Sequence, residues 1–251
     1  MDLLFSFAAA RLFPRIAVMI KSFAGLNLYT EAFLRLIYPA ACGVCRAPLE
    51  LEEKGICSGC KITLKALRFS PEEAAISQNF EFLDGAWALY PYKSPVKEII
   101  SGIKFLKKRW LVSVFAEDIS EMALRITGDT SYHAVIPVPI HRSRLIEREF
   151  NQSELIAARI AESSGVPLRS GRLRKRFQTP PQNQLSRQER KTNLYRAFEL
   201  LKSQAAEGKQ LLLVDDIFTT GATAEETARA LKEHGARRVD LFTLARTEIR
   251  S

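Results

Sequence analysis

Asp215 and Asp216 stand side by side where an apolar run ends: the stretch reads LLLVDDIFTTGAT, Leu211 to Thr223. Two adjacent like charges at the end of a buried strand are costly unless something uses them. Carboxylates repel phosphate, but they accept hydrogen bonds from sugar hydroxyls. The loop that follows offers the opposite chemistry. Thr219, Thr220 and Thr223 carry hydroxyl donors, while Gly221 lets the backbone approach a ligand closely. The helix beyond presents unpaired N–H groups at its N-terminus, which completes a phosphate cradle. A ligand with hydroxyls a ring's width from a phosphate satisfies both halves, and a ribose 5-phosphate is such a ligand. The rival is the acidic strand end of a P-loop NTPase, which requires G-x-x-x-x-G-K-[ST] upstream; this chain has none. A plain N-cap pair explains the acids but not their company.

The second chemical grouping is Cys42, Cys45, Cys57 and Cys60, all four cysteines of the chain. Their pattern is C-x2-C, eleven residues, C-x2-C. Each pair can turn two thiolates onto one ion, and two pairs supply a tetrahedral site. Two disulfides are the alternative, which a reducing compartment disfavours. The expectation is structural Zn2+ with four protein ligands, a closed site that lets a short segment fold without a large core.

The 251 residues are enough for one full α/β domain and a small appendage. The formal charge of +9 points to an anionic partner. It is concentrated: residues 172–196 hold eight basic side chains against Glu189 alone, a net of +7. That window reads as a contact for phosphate or nucleic acid, against a solvated basic loop. The apolar start is broken by Arg11, Pro14, Arg15 and Lys21, short of the ~18 residues a membrane span needs. Asp2 argues against a signal peptide. The expectation is a helix packed on the body of the protein, with an amphipathic helix on a membrane or partner as the alternative.

These groups need elements to hold them. Strands are expected at AWALYPY from Ala86, at AVIPVPI (Ala134 to Ile140), at LLLV and at RRVDLFTLAR. Ser94 reads as an N-cap and Pro95 as the first residue of a helix with Val96, Ile99, Ile100 and Ile103 on its apolar face. Lys97, Lys104 and Lys108 share another face. NQSELIAARIAESSGVP is a second helix, and TAEETARALKEHG a third that stops at Gly235. SPEEAAISQNFEFLDG reads as loop and linker. Strands and helices alternate at βαβ spacing, which predicts an α/β fold with a mainly parallel sheet and helices on both faces.

LLLVDDIFTTGAT closely resembles the phosphoribosyl-pyrophosphate (PRPP) motif of type I phosphoribosyltransferases. VIPVPIHRSRLIEREFNQSELIA, FQTPPQNQLSRQERKTNLYRAF and the CGVC…CSGC module together resemble the ComF (ComFC or GntX-like) competence family, in the same motif order. The resemblance implies a type I phosphoribosyltransferase fold preceded by a zinc-ribbon-like module. The expected division is a helical extension over 1–36, the zinc module over 37–68 and the phosphoribosyltransferase-like domain over 80–251. It implies that Asp215 and Asp216 hold the ribose hydroxyls of PRPP, and that Thr219, Thr220, Gly221, Ala222 and Thr223 hold its 5-phosphate. It places a pyrophosphate loop at Pro139 to Arg144, with His141, Arg142, Ser143 and Arg144 as contacts, and adds Lys104 from IKF. It makes the basic segment a mobile loop, with Arg176, Gln178, Thr179, Arg187 and Arg190 closing over the site. Mg2+ would accompany PRPP. One departure stands out: the family usually reads RGFNQ, and here Glu149 takes the glycine position. A turn that needs positive φ there would be strained.

The resemblance implies a role in single-stranded DNA uptake or handling during natural transformation, in the cytoplasm or at the inner face of the membrane. A competence helicase or other DNA-uptake proteins would be partners, and Phe177 or Tyr195 would offer stacking to bases. The alternative is an active phosphoribosyltransferase of unidentified acceptor in nucleotide metabolism or salvage, since no base-gripping hood is legible. No Ser-His-Asp or Cys-His arrangement is present; His133, His141 and His234 are scattered.

Overall fold

A computed structural model of the chain describes residues 40–177, 196–201 and 206–247. They fall in two compact units divided between Cys57 and Ser58. The expected N-terminal extension over 1–36 lies outside the described residues, as do Gln178, Thr179, Arg187, Arg190 and Tyr195.

In the first unit the chain doubles back over a few residues. Ala41 and Pro48 form an antiparallel bridge. The Cys42 N–H donates to the Ala47 carbonyl at 2.7 Å, and the Gly43 N–H to the Gly55 carbonyl at 2.9 Å. Arg46 turns the knuckle with φ of 67°.

The second unit opens with helix α1 (Ser58–Ala66) and a short helix α2 (Pro71–Ala74). Ser70 and Glu73 form a capping box around α2, each side chain taking a hydrogen bond from the other's backbone N–H. The main sheet is β1 (Gly85–Pro91), β2 (Ala134–Pro137), β5 (Gln210–Phe218) and β6 (Arg238–Arg246), in the order β1-β6-β5-β2. All three pairings are parallel. A separate antiparallel pair joins β3 (Leu173–Lys175) to β4 (Phe198–Leu200).

Because β5 lies between β6 and β2, its backbone is paired on both sides and its C-terminal end opens in the middle of the sheet edge. Such an end is where open parallel sheets bind ligands. Alternation sorts its side chains. Leu211 and Leu213 join Ala134, Ile136, Val239 and Leu241 in one core, covered by Ala224, Ala228 and Leu231 of helix α7 (Ala222–Lys232). Leu212, Val214, Phe242 and Leu244 are equally buried but lie outside that core, on the opposite face. Helices α4 (Ala116–Asp129) and α6 (Gln152–Ser164) pack together, α4 also meeting β1 and α6 meeting β2 and β5. Each of these buried leucines contributes on the order of 2 kcal/mol of hydrophobic stabilisation.

Three local expectations change. The strand carrying the aspartates does not stop at Val214 but runs to Phe218, because Asp215 through Phe218 continue the ladder to Thr243 through Arg246. Ser94 does not cap helix α3 (Val96–Phe105); Pro95 is the cap residue and no side chain bonds there. The linker expected at 70–85 is folded onto the domain. Ile76 and Leu83 are buried in the α7-side core, and the Phe80 ring meets Phe218 edge-on at 6.2 Å. The Glu81 and Phe82 N–H groups donate to the Glu225 carboxylate. Several elements had no forecast, among them α1, α4 and a 3-10 helix at Arg109–Phe115 that leads into α4 and buries Leu111, Val112 and Phe115.

Candidate functional site

The acidic pair is held from three directions. Asp215 accepts a hydrogen bond from the Ser153 hydroxyl of α6 at 2.9 Å, and the Asp216 N–H donates to the same carboxylate oxygen at 2.9 Å. Lys104, in the last turn of α3, places Nζ 2.6 Å from Asp216 Oδ2. Both side chains of that ion pair are more than four-fifths buried. Burial pushes the Asp215 carboxyl above the usual carboxylate range, and the charge of Asp216 pushes it further. The Asp216 N–H, Lys104 and Ser153 act in the opposite sense.

Helix α6 owes its position to Asn151. Its side-chain oxygen takes the Ser153 N–H at 3.2 Å, and its side-chain nitrogen donates to the Val138 carbonyl at 2.9 Å. One amide therefore starts the helix and fastens it to the chain leaving β2, which brings Ser153 onto Asp215.

The loop after β5 is built around Gly221, the N-cap of α7, at φ of 78°. A Cβ there would sit 2.8 Å from the Phe218 ring and 3.1 Å from the Gln78 amide. Only glycine suits both the backbone and the space. The Ala222 N–H leans on the Thr220 hydroxyl at 3.4 Å.

Asp215, Asp216, Thr219, Gly221 and Thr223 line one cleft of about 780 Å³ together with Lys104, His141 and Arg144. Thus three separate sequence regions meet: the β5 loop, the end of α3, and helix α5 (Arg142–Arg148) with the residue before it. Thr220, Ala222, Arg142 and Ser143 stand beside that lining rather than in it. His141 is the N-cap of α5, its Nδ1 taking the Ser143 N–H at 3.2 Å. Arg144 also pairs with Glu147 at 3.0 Å. Arg176 pairs with Glu199 of β4 at 3.2 Å, outside the cleft lining. His133 takes the Gln210 N–H, and His234 bonds the Ala230 carbonyl at 2.8 Å; neither is in the cleft.

The cleft also contains residues the sequence reading passed over: Arg148, Gln152, Ser153 and Lys175. Burial presses the Lys175 ammonium below its ordinary range, and the nearby Asp215 charge holds it up. Arg148 donates to the Gln152 side-chain oxygen at 3.2 Å. Arg148 and Gln152 fall inside the REFNQS run already singled out, and Lys175 inside the basic window. The signal was present, but which turn of the helix faced the strand end was not.

Glu149, at the position expected to need positive φ, does adopt it. It ends α5 with φ of 69°. Its carboxylate is bonded to Lys107, and its backbone carbonyl takes Arg109 at 3.2 Å. The hydrogen bond from Lys107 and its charge hold the Glu149 carboxyl below its ordinary range.

In the cysteine module, the four sulfurs lie within 4.8 Å of one another. Four thiolates at about 2.3 Å from a tetrahedral zinc are about 3.8 Å apart. The Cys45 and Cys57 sulfurs are already 3.7 Å apart. Cys42 Sγ receives the Cys57 N–H at 3.3 Å and the Val44 N–H at 3.5 Å. Burial opposes ionisation of Cys42, but these N–H donors, together with the Cys45 N–H and thiol, outweigh it and bring the thiol down to about 6. The donor set could hold a metal ion, and its soft ligands and spacing fit zinc. Among the described residues no helix is long and apolar enough to cross a membrane.

Residues 151–250 match the family model described as a phosphoribosyl transferase domain. The "DNA utilization protein YhgH" of Salmonella typhimurium is 29% identical over 227 residues, 84% of this chain and 99% of that protein. "Competence protein ComFC" of Bacillus subtilis is 29% identical over 215 residues, covering 85% of this chain and 81% of its own. "Competence protein F" of Haemophilus influenzae is 27% identical over 221 residues, 82% of this chain and 96% of that one.

Proposed function

The chain carries a type I phosphoribosyltransferase domain and fits the ComF family, and from that premise we propose that it binds PRPP and handles single-stranded DNA during natural transformation. One observation carries the first half: the Asp215–Asp216 pair and the Gly221 loop open onto the same cleft as Lys104, Arg144 and Lys175. In this reading the two carboxylates accept the ribose hydroxyls, and the Thr219–Thr223 loop and the start of α7 take the 5-phosphate. Lys104, Arg144 and Lys175 face the pyrophosphate. Mg2+ bound with PRPP would offset charge on the diphosphate. We assign the four-cysteine module a structural zinc, and the domains to 37–68 and 80–251 with a separate extension over 1–36. The names of the relatives, which speak of DNA utilization and competence, support the second half.

The test is isothermal titration with Mg-PRPP. Wild type should bind, and Asp215→Asn/Asp216→Asn should lose most of that affinity. Equal affinity in the double variant overturns the ribose assignment. Binding of an oligo-dT strand across a salt series tests the DNA half: log Kd should change linearly with log salt, and a flat response refutes phosphate contact.

A further inference from the structure

Phe105 and Trp110 are large aromatics left 65% and 49% exposed, five residues apart where the chain leaves α3. Single exposed apolar residues are ordinary; what surrounds these two is not. The Arg148 guanidinium lies 5.5 Å from the Phe105 ring centre, and Lys108 Nζ lies 5.8 Å from that of Trp110. Between them Arg109 covers the Phe150 ring at 4.6 Å. These contacts, with the Lys107–Glu149 bond, fix the 105–110 turn against the end of α5. Segments 104–110 and 141–149 carry seven basic residues against Glu147 and Glu149. Phe105, Lys104, Arg144 and Arg148 also line the cleft, so this surface is its lip.

Aromatic faces interleaved with cations select among polyanions. Duplex DNA offers phosphates but keeps its base faces stacked inside. An apolar protein surface offers nothing to the net charge of +5 on these segments. An unpaired strand offers both: a π-face for each ring and a phosphate for each cation. We infer that Phe105 and Trp110 form a stacking platform for unpaired bases of single-stranded DNA, with Lys108 and Arg109 on the adjoining phosphates. The strand then runs past the mouth of the cleft. The DNA-handling reading above is the premise; what is added is the surface, which lies on described helices rather than on the 178–195 segment or the cysteine module.

The experiment uses the full chain with Trp87→Phe, so that Trp110 is the only indole. Titrated with oligo-dT, its fluorescence should be quenched by stacking, and the blunt duplex of the same length should quench little. By anisotropy, Phe105→Ala and Trp110→Ala should each weaken oligo-dT binding on the order of tenfold, and Phe105→Tyr should restore it. Trp110→Ala should bind Mg-PRPP as wild type does, which shows the fold intact. If wild type binds no oligo-dT at low salt, the DNA-handling reading fails and the platform with it. If wild type binds and both alanine variants bind equally well, the platform alone is refuted. Equal quenching by duplex, or by free thymidine monophosphate, also overturns it.

Discussion

Lys104→Met offers the sharpest test of the electrostatics at the end of β5. Lys104 Nζ is 2.6 Å from Asp216 Oδ2, with the two side chains 18% and 12% exposed. Removing one partner of a buried pair costs roughly 3–5 kcal/mol, because the other charge is stranded. How much charge is stranded depends on Asp215, whose carboxyl is raised to about 7. At pH 5 Asp215 keeps its proton and one charge is stranded; at pH 8 both carboxylates are ionised and two are. The sign follows from Asp215, whose folded pKa is already raised, chiefly by burial. The native state keeps a proton that the unfolded chain has released, so stability falls as pH rises through that window. Without Lys104 the fall extends further up the pH scale. Urea unfolding should show Lys104→Met less stable than wild type by about 3 kcal/mol at pH 5 and by about 5 kcal/mol at pH 8. Adding Asp216→Asn should recover most of the pH 8 loss. An equal cost at both pH values, or one that survives Asp216→Asn, would mean that Lys104 acts by packing and that the charge argument is wrong.

Gly221→Ala should cost about 2–4 kcal/mol, from left-handed backbone plus the clash with Phe218, and should abolish Mg-PRPP binding; a wild-type urea midpoint would refute the geometry. At Glu149 the urea midpoints should rank Glu149→Gly above wild type and Glu149→Ala below it, because glycine relieves the φ of 69° while alanine keeps it and loses Lys107. Freshly purified protein should contain about one zinc per chain, and chelation should make residues 40–66 the first site of proteolysis; metal-free protein with the same cleavage pattern would argue against a structural metal.

The parts of this fold that periodicity governs were legible. The four parallel strands, α3, α6 and α7 follow from apolar spacing, and Asp215, Asp216 and the Gly221 loop from residue types that make sense together. What was not legible depends on tertiary contact. Lys104 shares a helix face with Lys97 and Lys108 and reads as solvated; only the approach of α3 to β5 makes it the counter-ion of Asp216. Ile76 and Leu83 sit in a stretch too short and mixed to show a period, so their burial under α7 left no mark. Ser153 follows Asn151 and Gln152 in the sequence, and its bond to Asp215 depends on how Asn151 ties α6 to Val138. Resemblance supplied PRPP; the residues alone gave only a phosphorylated sugar.

Glu149 has a consequence for descent. Its left-handed backbone suits glycine, and its carboxylate is useful only while Lys107 and Arg109 stand opposite. Mutational paths through this corner therefore have a direction. A step from Glu149 to glycine is open whatever else the chain carries, whereas losing Lys107 first strands the acid in a conformation it tolerates poorly. Relatives that keep an acid at this position should keep a base at the position of Lys107, and those with glycine should vary there freely.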